Sequence, residues 1–285
     1  MDKQIIQKIK DLKNDRIHGA NWLSIQALNI LNLAIKETQA DTVGNFVNEI
    51  KTIATAIIKA RPSMTSIANY ISQFLNQIII VSQGQKQLDY VKNAAQVKTN
   101  EIIKYAKEAA LKAAEHGAKM ITDQDTIITC SYSSTVCKTF KIAKEKDLKF
   151  QVIIAESRDK DKSYGEISAK QLRQYQIPII IINDEDVNKY VYKANKAFIG
   201  ADTILDDGSV INGTPTCRLA QAASTAKIPF YSICETAKFY AKNIGDERPA
   251  LEPGFEVIPS HLITAIITET GIIKPGHIIN KISRC

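Results

Sequence analysis

The sequence lacks any apolar run long enough to cross a membrane. Its longest runs, such as IIIV (78–81) and IPIIII (177–182), are far shorter than the roughly 18 residues that a membrane-spanning helix needs. The first ten residues, MDKQIIQKIK, have neither an apolar core nor a small-residue cleavage site, so we expect no signal peptide. We therefore expect a cytoplasmic protein that does not associate with a membrane.

Grouped metal ligands and paired cysteines are also missing. The five cysteines have no CxxC spacing, and the four histidines are scattered singly along the chain. An odd number of dispersed cysteines fits free thiols in a reducing compartment better than a disulfide framework. The sequence therefore predicts neither a zinc site nor any other metal site.

Glycine-rich phosphate-binding motifs are absent as well. Neither GxGxxG nor GxxxxGKS/T occurs, so we expect no dinucleotide cofactor and no Walker-type ATPase, and GxSxG is missing too. The net charge is +7, but the 37 basic residues are interspersed with 30 acidic ones and form no stripe with aromatic residues. A solvated surface explains this pattern better than nucleic-acid binding, which we do not expect, although a positive field would still attract other anions.

Residues 1 to about 120 show helical periodicity throughout. In WLSIQALNILNLAIKE (22–37), five apolar residues fall on one helix face: Leu23, Ala27, Ile30, Leu31 and Ala34. Further helices are predicted over 42–60, 66–82 and 97–119. We interpret Gly117 as the C-terminal cap of the last helix. The sequence therefore predicts an all-helical domain over residues 1–120.

After about residue 120, short β-branched runs alternate with helix-like stretches. Strands are predicted over 125–131, 150–157, 177–183, 196–202 and 228–234. This alternation is typical of βαβ units around a buried parallel sheet. The sequence therefore predicts the α/β class, with a parallel-sheet domain over residues 121–285.

Polar residues follow several of these strands. In open α/β sheets the functional loops lie at the carboxyl ends of the strands. We expect that edge to carry the following side chains: Ser131, Ser133, Glu156, Ser157, Arg158, Asn183, Asp184, Asp202 and Glu235. Such an edge is what a site requires, but it is also the usual arrangement of the fold.

Three features of the sequence allow both a functional and a structural interpretation. TCSYSSTV (129–136) could bind an anion at a helix N-terminus, or Ser133 or Ser134 could only cap that helix. Arg61, at a helix break, and Arg158, at a strand end, could each clamp a phosphate or form a local salt bridge. Asp202 could act as a general acid or base if burial raises its pKa, or could only hydrogen-bond its loop.

Seven segments occur in an order that resembles one protein superfamily: DRIHGANWLSIQAL, ARPSMTSIANYI, TIITCSYSSTV, VIIAESRD, KAFIGADTILDDGSVIN, IPFYSICETAKF and VIPSHLITAIITETGII. The superfamily comprises the alpha, beta and delta regulatory subunits of translation initiation factor 2B, their archaeal relatives, and two sugar-phosphate isomerases. Those isomerases act on methylthioribose 1-phosphate and ribose 1,5-bisphosphate. The resemblance covers nearly the whole chain. It implies a helical domain, a Rossmann-like domain over residues 121–285, and dimerisation through the latter.

The isomerase motifs of this superfamily are only partly retained. When the chain is aligned with the isomerase segment THCNSG, Ser131 occupies the position of the catalytic cysteine, and Asp202 matches the catalytic aspartate. Asn212 matches the asparagine of the NKxGT segment, but Gly213 replaces its lysine. His18 replaces the arginine of the RGA segment. The chain therefore keeps one acid–base group and lacks the nucleophilic thiol.

The resemblance implies a ligand pocket without a catalytic residue. Its members would be the residues at the matching positions: Arg61, Ser131, Ser133, Arg158, Asp202 and Asn212. An alcohol is a far weaker acid than a thiol, whose pKa is near 8.5. Cys130 should not substitute, because neighbouring side chains of a strand point to opposite faces unless a bulge intervenes.

We therefore expect a non-catalytic homologue of the initiation factor 2B regulatory subunits. The resemblance implies association with initiation factor 2, chiefly its alpha subunit, binding of a nucleotide monophosphate or sugar phosphate, and assembly as a homodimer or higher oligomer. The apolar segment HLITAIITETGII (261–273) favours a dimer or completes the domain core, and these two roles are not exclusive. The alternative is a ribose 1,5-bisphosphate isomerase, and a third interpretation is a nucleotide or sugar-phosphate sensor without either activity.

Overall fold

The computed structural model describes residues 1–159, 161–240 and 249–278. The chain divides into two compact units, Met1–Glu108 and Ala109–Cys285. This division falls within a long helix, whereas the sequence places the domain boundary near residue 120, where that helix ends. Each unit is described by itself below.

The first unit is built from helices whose apolar faces pack together. The helices are α1 (Lys3–Asn14), α2 (Ala20–Glu37), α3 (Val43–Ala60), α4 (Thr65–Ser82) and α5 (Leu88–Ala118), the last of which continues past the unit. The predicted apolar face of α2 is buried along its length, at Leu23, Ala27, Ile30, Leu31 and Ala34. Helical periodicity therefore identified the core-facing side of this helix correctly.

Helix α5 differs from its prediction at both ends. It begins at Leu88 rather than at residue 97, and Gly117 lies inside it instead of capping its C-terminus. A β-carbon at Gly117 would lie 2.8 Å from Ile233 Cδ1 and 2.9 Å from Thr139 Oγ1. The glycine is therefore required for close packing, and the prediction of a cap was wrong.

The second unit is an α/β structure around a seven-stranded sheet. In spatial order the strands are β12 (Gly271–Ile273), β11 (Ala265–Thr268), β9 (Phe230–Ile233), β6 (Lys196–Ile199), β1 (Thr126–Cys130), β2 (Gln151–Ala155) and β5 (Ile179–Ile182). Neighbouring strands are parallel except β11 and β12. The predicted fold class is confirmed, and each predicted strand contains one strand of this sheet.

Helices and two small sheets complete the second unit. The helices are α6 (Ser134–Lys144), α7 (Tyr164–Gln174), α8 (Val187–Tyr190) and α9 (Thr216–Thr225). One small sheet has three strands, in the order β10 (Phe255–Ile258), β8 (Val210–Gly213) and β7 (Thr203–Ile204). The other has two strands, β3 (Arg158–Asp159) and β4 (Lys162–Ser163). The sequence predicts no strand between residues 203 and 227, but this stretch contains the antiparallel pair β7–β8. β8 also pairs with β10, which is distant along the chain. Patterns among neighbouring residues cannot predict such a pairing.

The seven-stranded sheet is covered on both faces. Within β1, Ile128 and Cys130 belong to the apolar cluster on one face, and Ile127 belongs to the cluster on the other. Double coverage explains why the strands are apolar without alternation. The apolar segment 261–273 supplies β11 and β12, and β11 is buried throughout. This segment therefore contributes to the core, while its part in a dimer stays a prediction.

We expect Gly165→Ala to destabilise the second unit, because Gly165 of α7 packs directly against the end of β2. A β-carbon at this position would overlap the Ala155 carbonyl oxygen and lie 2.9 Å from Glu156 Cα. Such overpacking should lower the free energy of unfolding by about 1–3 kcal/mol, measurable by urea denaturation. Gly276→Ala is the matched control, since no atom lies within 4 Å of its added β-carbon. If both variants had the same midpoint and slope of urea denaturation, the close approach of Gly165 to the end of β2 would be contradicted.

Candidate functional site

The carboxyl edge of the seven-stranded sheet brings together most of the predicted site residues. Ser131 follows β1, Arg158 lies just beyond β2, and Asp202 follows β6. Because β1 pairs with both β2 and β6 in parallel, these three loops emerge side by side. Glu235 follows β9, the next strand beyond β6. The edge is therefore a continuous row of polar loops.

The first two loops contain residues with an unusual backbone conformation. Ser131 and Ser157 have φ values of 61° and 51°, in the left-handed region that non-glycine residues rarely occupy. The Ser131 N–H donates to Ser157 Oγ at 2.5 Å, and the Ser157 N–H donates to Asp184 Oδ1 at 2.7 Å. Ser168 Oγ donates to the Ser131 carbonyl at 2.9 Å. These hydrogen bonds hold two conformations that would otherwise be unfavourable.

The left-handed backbone at Ser131 also changes where its side chain lies. A β-carbon placed at Gly213 would lie 3.0 Å from Ser131 Oγ, so the hydroxyl faces β8 at that glycine. Cys130 Sγ lies 3.3 Å from Thr216 Oγ1, just beyond the same strand. Both side chains therefore approach segment 212–216. The expectation that they point to opposite faces does not hold past the strand end, because strict alternation requires extended backbone.

Cys130 is chemically quiet despite its position beside the predicted catalytic residue. Its side chain is almost completely buried. Burial raises the pKa of the Cys130 thiol to about 12, and the hydrogen bond with Thr216 only partly opposes this effect. The thiol is therefore neutral at physiological pH and supplies no thiolate.

Asn212 and Ser133 are both engaged within the unit. Asn212 Nδ2 donates to Thr216 Oγ1 at 3.0 Å, and that hydroxyl donates to the Gly213 carbonyl at 2.5 Å. Ser133 caps α6, with its Oγ accepting from the Val136 N–H at 3.3 Å. The capping interpretation of Ser133 thus describes a contact that is present, and it does not conflict with an anion at the same helix end.

Arg158 forms the local salt bridge that the sequence allowed. Its Nε and Nη2 donate to the two carboxylate oxygens of Glu156, each at 3.1 Å. The Arg158 N–H donates to Asp184 Oδ2 at 3.0 Å. Arg61 lies in the first unit, where it is buried and its Nη1 donates to the Asp15 carbonyl at 2.9 Å. Its predicted share in the pocket stays a prediction from the resemblance.

A buried lysine accompanies Asp202, and the sequence reasoning missed it. Lys238 is 4% exposed, and its Nζ lies 3.3 Å from Glu235 Oε2. Burial alone would lower the pKa of Lys238, but the charges of Glu235 and Asp202 outweigh it and raise the pKa above its usual value. Glu235 Oε1 also accepts from Thr135 Oγ1 at 3.0 Å. Lys238 is therefore a buried cation that is paired with Glu235 and also attracted by the charge of Asp202.

The helix that follows β8 is capped by a carboxylate of this chain. Glu256 of β10 accepts from the Cys217 N–H, in the first turn of α9, at 2.5 Å. Partial burial raises the pKa of Glu256, although the Cys217 N–H and the charge of Arg218 oppose the shift. Glu256 thus occupies a position at which a bound anion would otherwise be stabilised.

Features of a metal site and of a membrane span do not occur among the described residues. No group of three or more histidine, cysteine, aspartate or glutamate side chains in this part of the chain could hold a metal ion. Among the described helices, none combines the length and the apolar character that crossing a bilayer requires.

Comparisons with known proteins agree with the resemblance seen in the sequence. A model described as the initiation factor 2 subunit family matches residues 16–251. The chain is 31% identical to a Pyrococcus furiosus protein described as translation initiation factor eIF-2B subunit 2-like, across 96% of this chain and 98% of that protein. It is 28% identical to the ribose 1,5-bisphosphate isomerase of Thermococcus kodakarensis, across 96% and 92% respectively.

A solved structure supports the same relationship. The crystal structure of the Pyrococcus horikoshii OT3 translation initiation factor eIF-2B superposes with a TM-score of 0.84 at 28% identity, covering 98% of this chain and all of that chain. The similar proteins therefore include both a factor-like protein and an isomerase, so similarity alone does not choose between a regulatory and a catalytic role.

We predict that Cys130 resists alkylation whereas Cys217 reacts. Cys130 is buried, and at pH 8 a thiol whose pKa is about 12 is ionised in only about one molecule in 10,000. Cys217 is partly exposed, so the reagent can reach it even though partial burial raises its pKa. Iodoacetamide labelling of the folded protein, followed by peptide mass spectrometry, compares the two sites directly. Labelling of Cys130 at the rate of Cys217 would contradict the neutral thiol.

Proposed function

The chain belongs to the initiation factor 2 subunit family, and we propose that it is a non-catalytic regulatory subunit of the initiation factor 2B type. In this role it binds initiation factor 2 in the cytoplasm, chiefly through that factor's alpha subunit, and assembles as a homodimer or higher oligomer. It also binds a phosphorylated small molecule, such as a nucleotide monophosphate or a sugar phosphate, at the carboxyl edge of the sheet.

The observation that carries the non-catalytic assignment is the absence of an available thiolate at the catalytic position. Ser131 offers an alcohol where the related isomerases have a cysteine, and no carboxylate or histidine is hydrogen-bonded to its Oγ among the described contacts. The adjacent thiol of Cys130 is held neutral by burial. Neither Ser131 nor Cys130 therefore supplies the thiolate that such a proton transfer would need.

The charges of the edge support weak rather than tight binding of a phosphate. Lys238 is already balanced by Glu235 and Asp202, and Arg158 is paired with Glu156. An incoming phosphate must therefore compete with carboxylates for both cations. Ser131 and Ser133 can still donate hydrogen bonds to it, because hydroxyl groups donate and accept at once.

We expect this chain to retain initiation factor 2 in a pull-down, and to lose it when the factor lacks its alpha subunit. The tagged full chain is immobilised and exposed to the purified factor, with the factor without its alpha subunit as the matched control. Titration calorimetry then measures the affinity in solution. Absence of the factor in both experiments would reject the partner.

The alternative, a ribose 1,5-bisphosphate isomerase, is favoured by one observation. Asp202 is 9% exposed and lies at the end of β6 beside a buried cation, which is a suitable place for an acid–base group. The relative from Thermococcus kodakarensis carries that activity in its name. The two proposals differ in what the Asp202 carboxylate does.

Asp202→Asn separates the two proposals. For a binding pocket, we expect calorimetry to show unchanged or up to about ten-fold tighter binding of AMP or ribose 1,5-bisphosphate, because a negative charge beside the phosphate is removed. We also expect no isomerase turnover from either the original chain or the variant in a coupled assay. Turnover by the original chain that disappears in Asp202→Asn would establish the enzyme instead, since the acid–base group would then be required.

A further inference from the structure

The first unit contains a groove of its own, between helices α1 and α2, which we call the α1–α2 groove. Its volume is about 510 Å³, within the usual range of roughly 300–1,000 Å³ for ligand sites. The residues that line it all lie between Lys8 and Lys36, so it includes no residue of the carboxyl edge of the sheet. Its floor is apolar, because Leu12 and Ile30 line it and are buried.

Trp22 forms an aromatic wall of this groove, and neighbouring residues hold that wall in place. The His18 ring stacks on Trp22 with the two centroids 3.7 Å apart, and His18 Nδ1 lies 2.8 Å from Asp15 Oδ2. Trp22 lines the groove and His18 does not, so the histidine supports the indole from outside it. Trp22 is nevertheless 38% exposed. A ring that is fixed in this way loses little freedom when a ligand packs on it.

A row of carboxamide side chains on α2 lines the same groove. Gln26, Asn29 and Asn32 follow one another at intervals of three residues, which makes them neighbours on the helix surface. Asn32 Nδ2 donates to Asn100 Oδ1 at 2.9 Å, but the buried Asn32 Oδ1 accepts no hydrogen bond from any described residue. An unsatisfied buried acceptor is costly, so a ligand that supplies an N–H group at this point is stabilised.

The charges that remain available at the groove are positive. Lys8 and Lys36 are exposed, and no described carboxylate lies within ion-pair distance of either. The two acidic residues that line the groove are engaged within the chain. Asp15 accepts from two backbone N–H groups at 2.9 Å, and Asp11 accepts from a glutamine side chain of α1 at 2.8 Å. The groove is therefore complementary to an anionic ligand.

The length of the groove points to an extended ligand. Along α2 its lining residues run from Trp22 to Lys36, which is about 21 Å at a rise of 1.5 Å per residue. The volume spread over this length gives a mean cross-section of about 24 Å², too slender for a third helix, whose diameter is about 10 Å. An extended peptide rises about 3.3 Å per residue, so about six residues would cover the groove.

We propose that the α1–α2 groove binds an extended acidic peptide segment of another protein. A backbone N–H of the peptide donates to Asn32 Oδ1, and its other peptide groups meet the remaining carboxamides, because a primary amide donates and accepts as a peptide group does. An apolar side chain packs on Trp22, and acidic side chains pair with Lys8 and Lys36. This binding is independent of the pocket at the carboxyl edge, since it uses none of the residues there.

Selection from a library of random hexapeptides, displayed on phage and applied to the immobilised full chain, tests this chemistry. Peptides enriched in acidic and apolar residues should be selected, and basic peptides should not. The best peptide is then synthesised and titrated into the full chain in solution. Trp22 is the only tryptophan of the chain, so a change in tryptophan emission reports on the groove directly.

Three variants locate the binding site. Asn32→Leu should raise the dissociation constant of the selected peptide at least about ten-fold, because the acceptor for its N–H is lost. Lys36→Glu should weaken the peptide by a similar factor and make the affinity less sensitive to salt. Lys51→Glu is the matched control, since Lys51 is an exposed lysine of α3 outside the groove and its replacement changes the net charge equally. Urea denaturation verifies that each variant is folded.

Four results would overturn the inference. The first two are a selection that enriches no acidic peptide and a selected peptide that leaves the emission of Trp22 unchanged. The third is a folded Asn32→Leu variant that binds the peptide as tightly as the original chain. The fourth is an equal loss of affinity in Lys36→Glu and Lys51→Glu, which would indicate attraction to the overall charge and not to the groove.

Discussion

The hydrogen bond between the Ser131 N–H and the Ser157 hydroxyl fixes the geometry on which the rest of the carboxyl edge depends. It joins two loops that leave adjacent strands in left-handed conformations, each of which costs about 1–3 kcal/mol when nothing stabilises it. Asp184, from the loop after β5, accepts from the N–H groups of Ser157 and Arg158 and extends this connection to a third strand. The direction of the Ser131 hydroxyl is therefore set by three loops and not by its own strand.

The ionisable groups along the carboxyl edge are arranged to satisfy one another. Lys238 is protonated because the attraction of Glu235 and Asp202 exceeds the effect of burial, and Glu256 caps α9 with a carboxylate of the chain itself. A buried cation that is paired with Glu235 and attracted by Asp202 offers little free positive charge to a ligand. Binding without turnover is consistent with such an edge, since the same groups would have to be released before they could act on a substrate.

Sequence patterns predicted the elements whose formation depends on neighbouring residues. The apolar face of α2 and the strand β1 follow from periodicity and β-branched composition, and both are where the sequence placed them. The hairpin β7–β8 was missed because it depends on pairing with β10, more than forty residues away along the chain. Gly117 was misread for the same reason, since only the fold brings Thr139 and Ile233 against it. Lys238 follows Glu235 by three residues, a spacing that in sequence is indistinguishable from an ordinary surface ion pair.

The two departures from the isomerase pattern at Ser131 and Gly213 are physically coupled. Any side chain at position 213 would bring a β-carbon to 3.0 Å from Ser131 Oγ, which is tighter than ordinary van der Waals contact. A sulfur atom at position 131 is larger than oxygen and would require still more room. The hydroxyl would therefore have to rotate away, or the left-handed loop that the Ser157 hydrogen bond holds would have to move. The present backbone thus suits a small polar group opposite a glycine, and the cysteine and lysine that the resemblance places at these two positions in the isomerases would need a different arrangement of the same two loops.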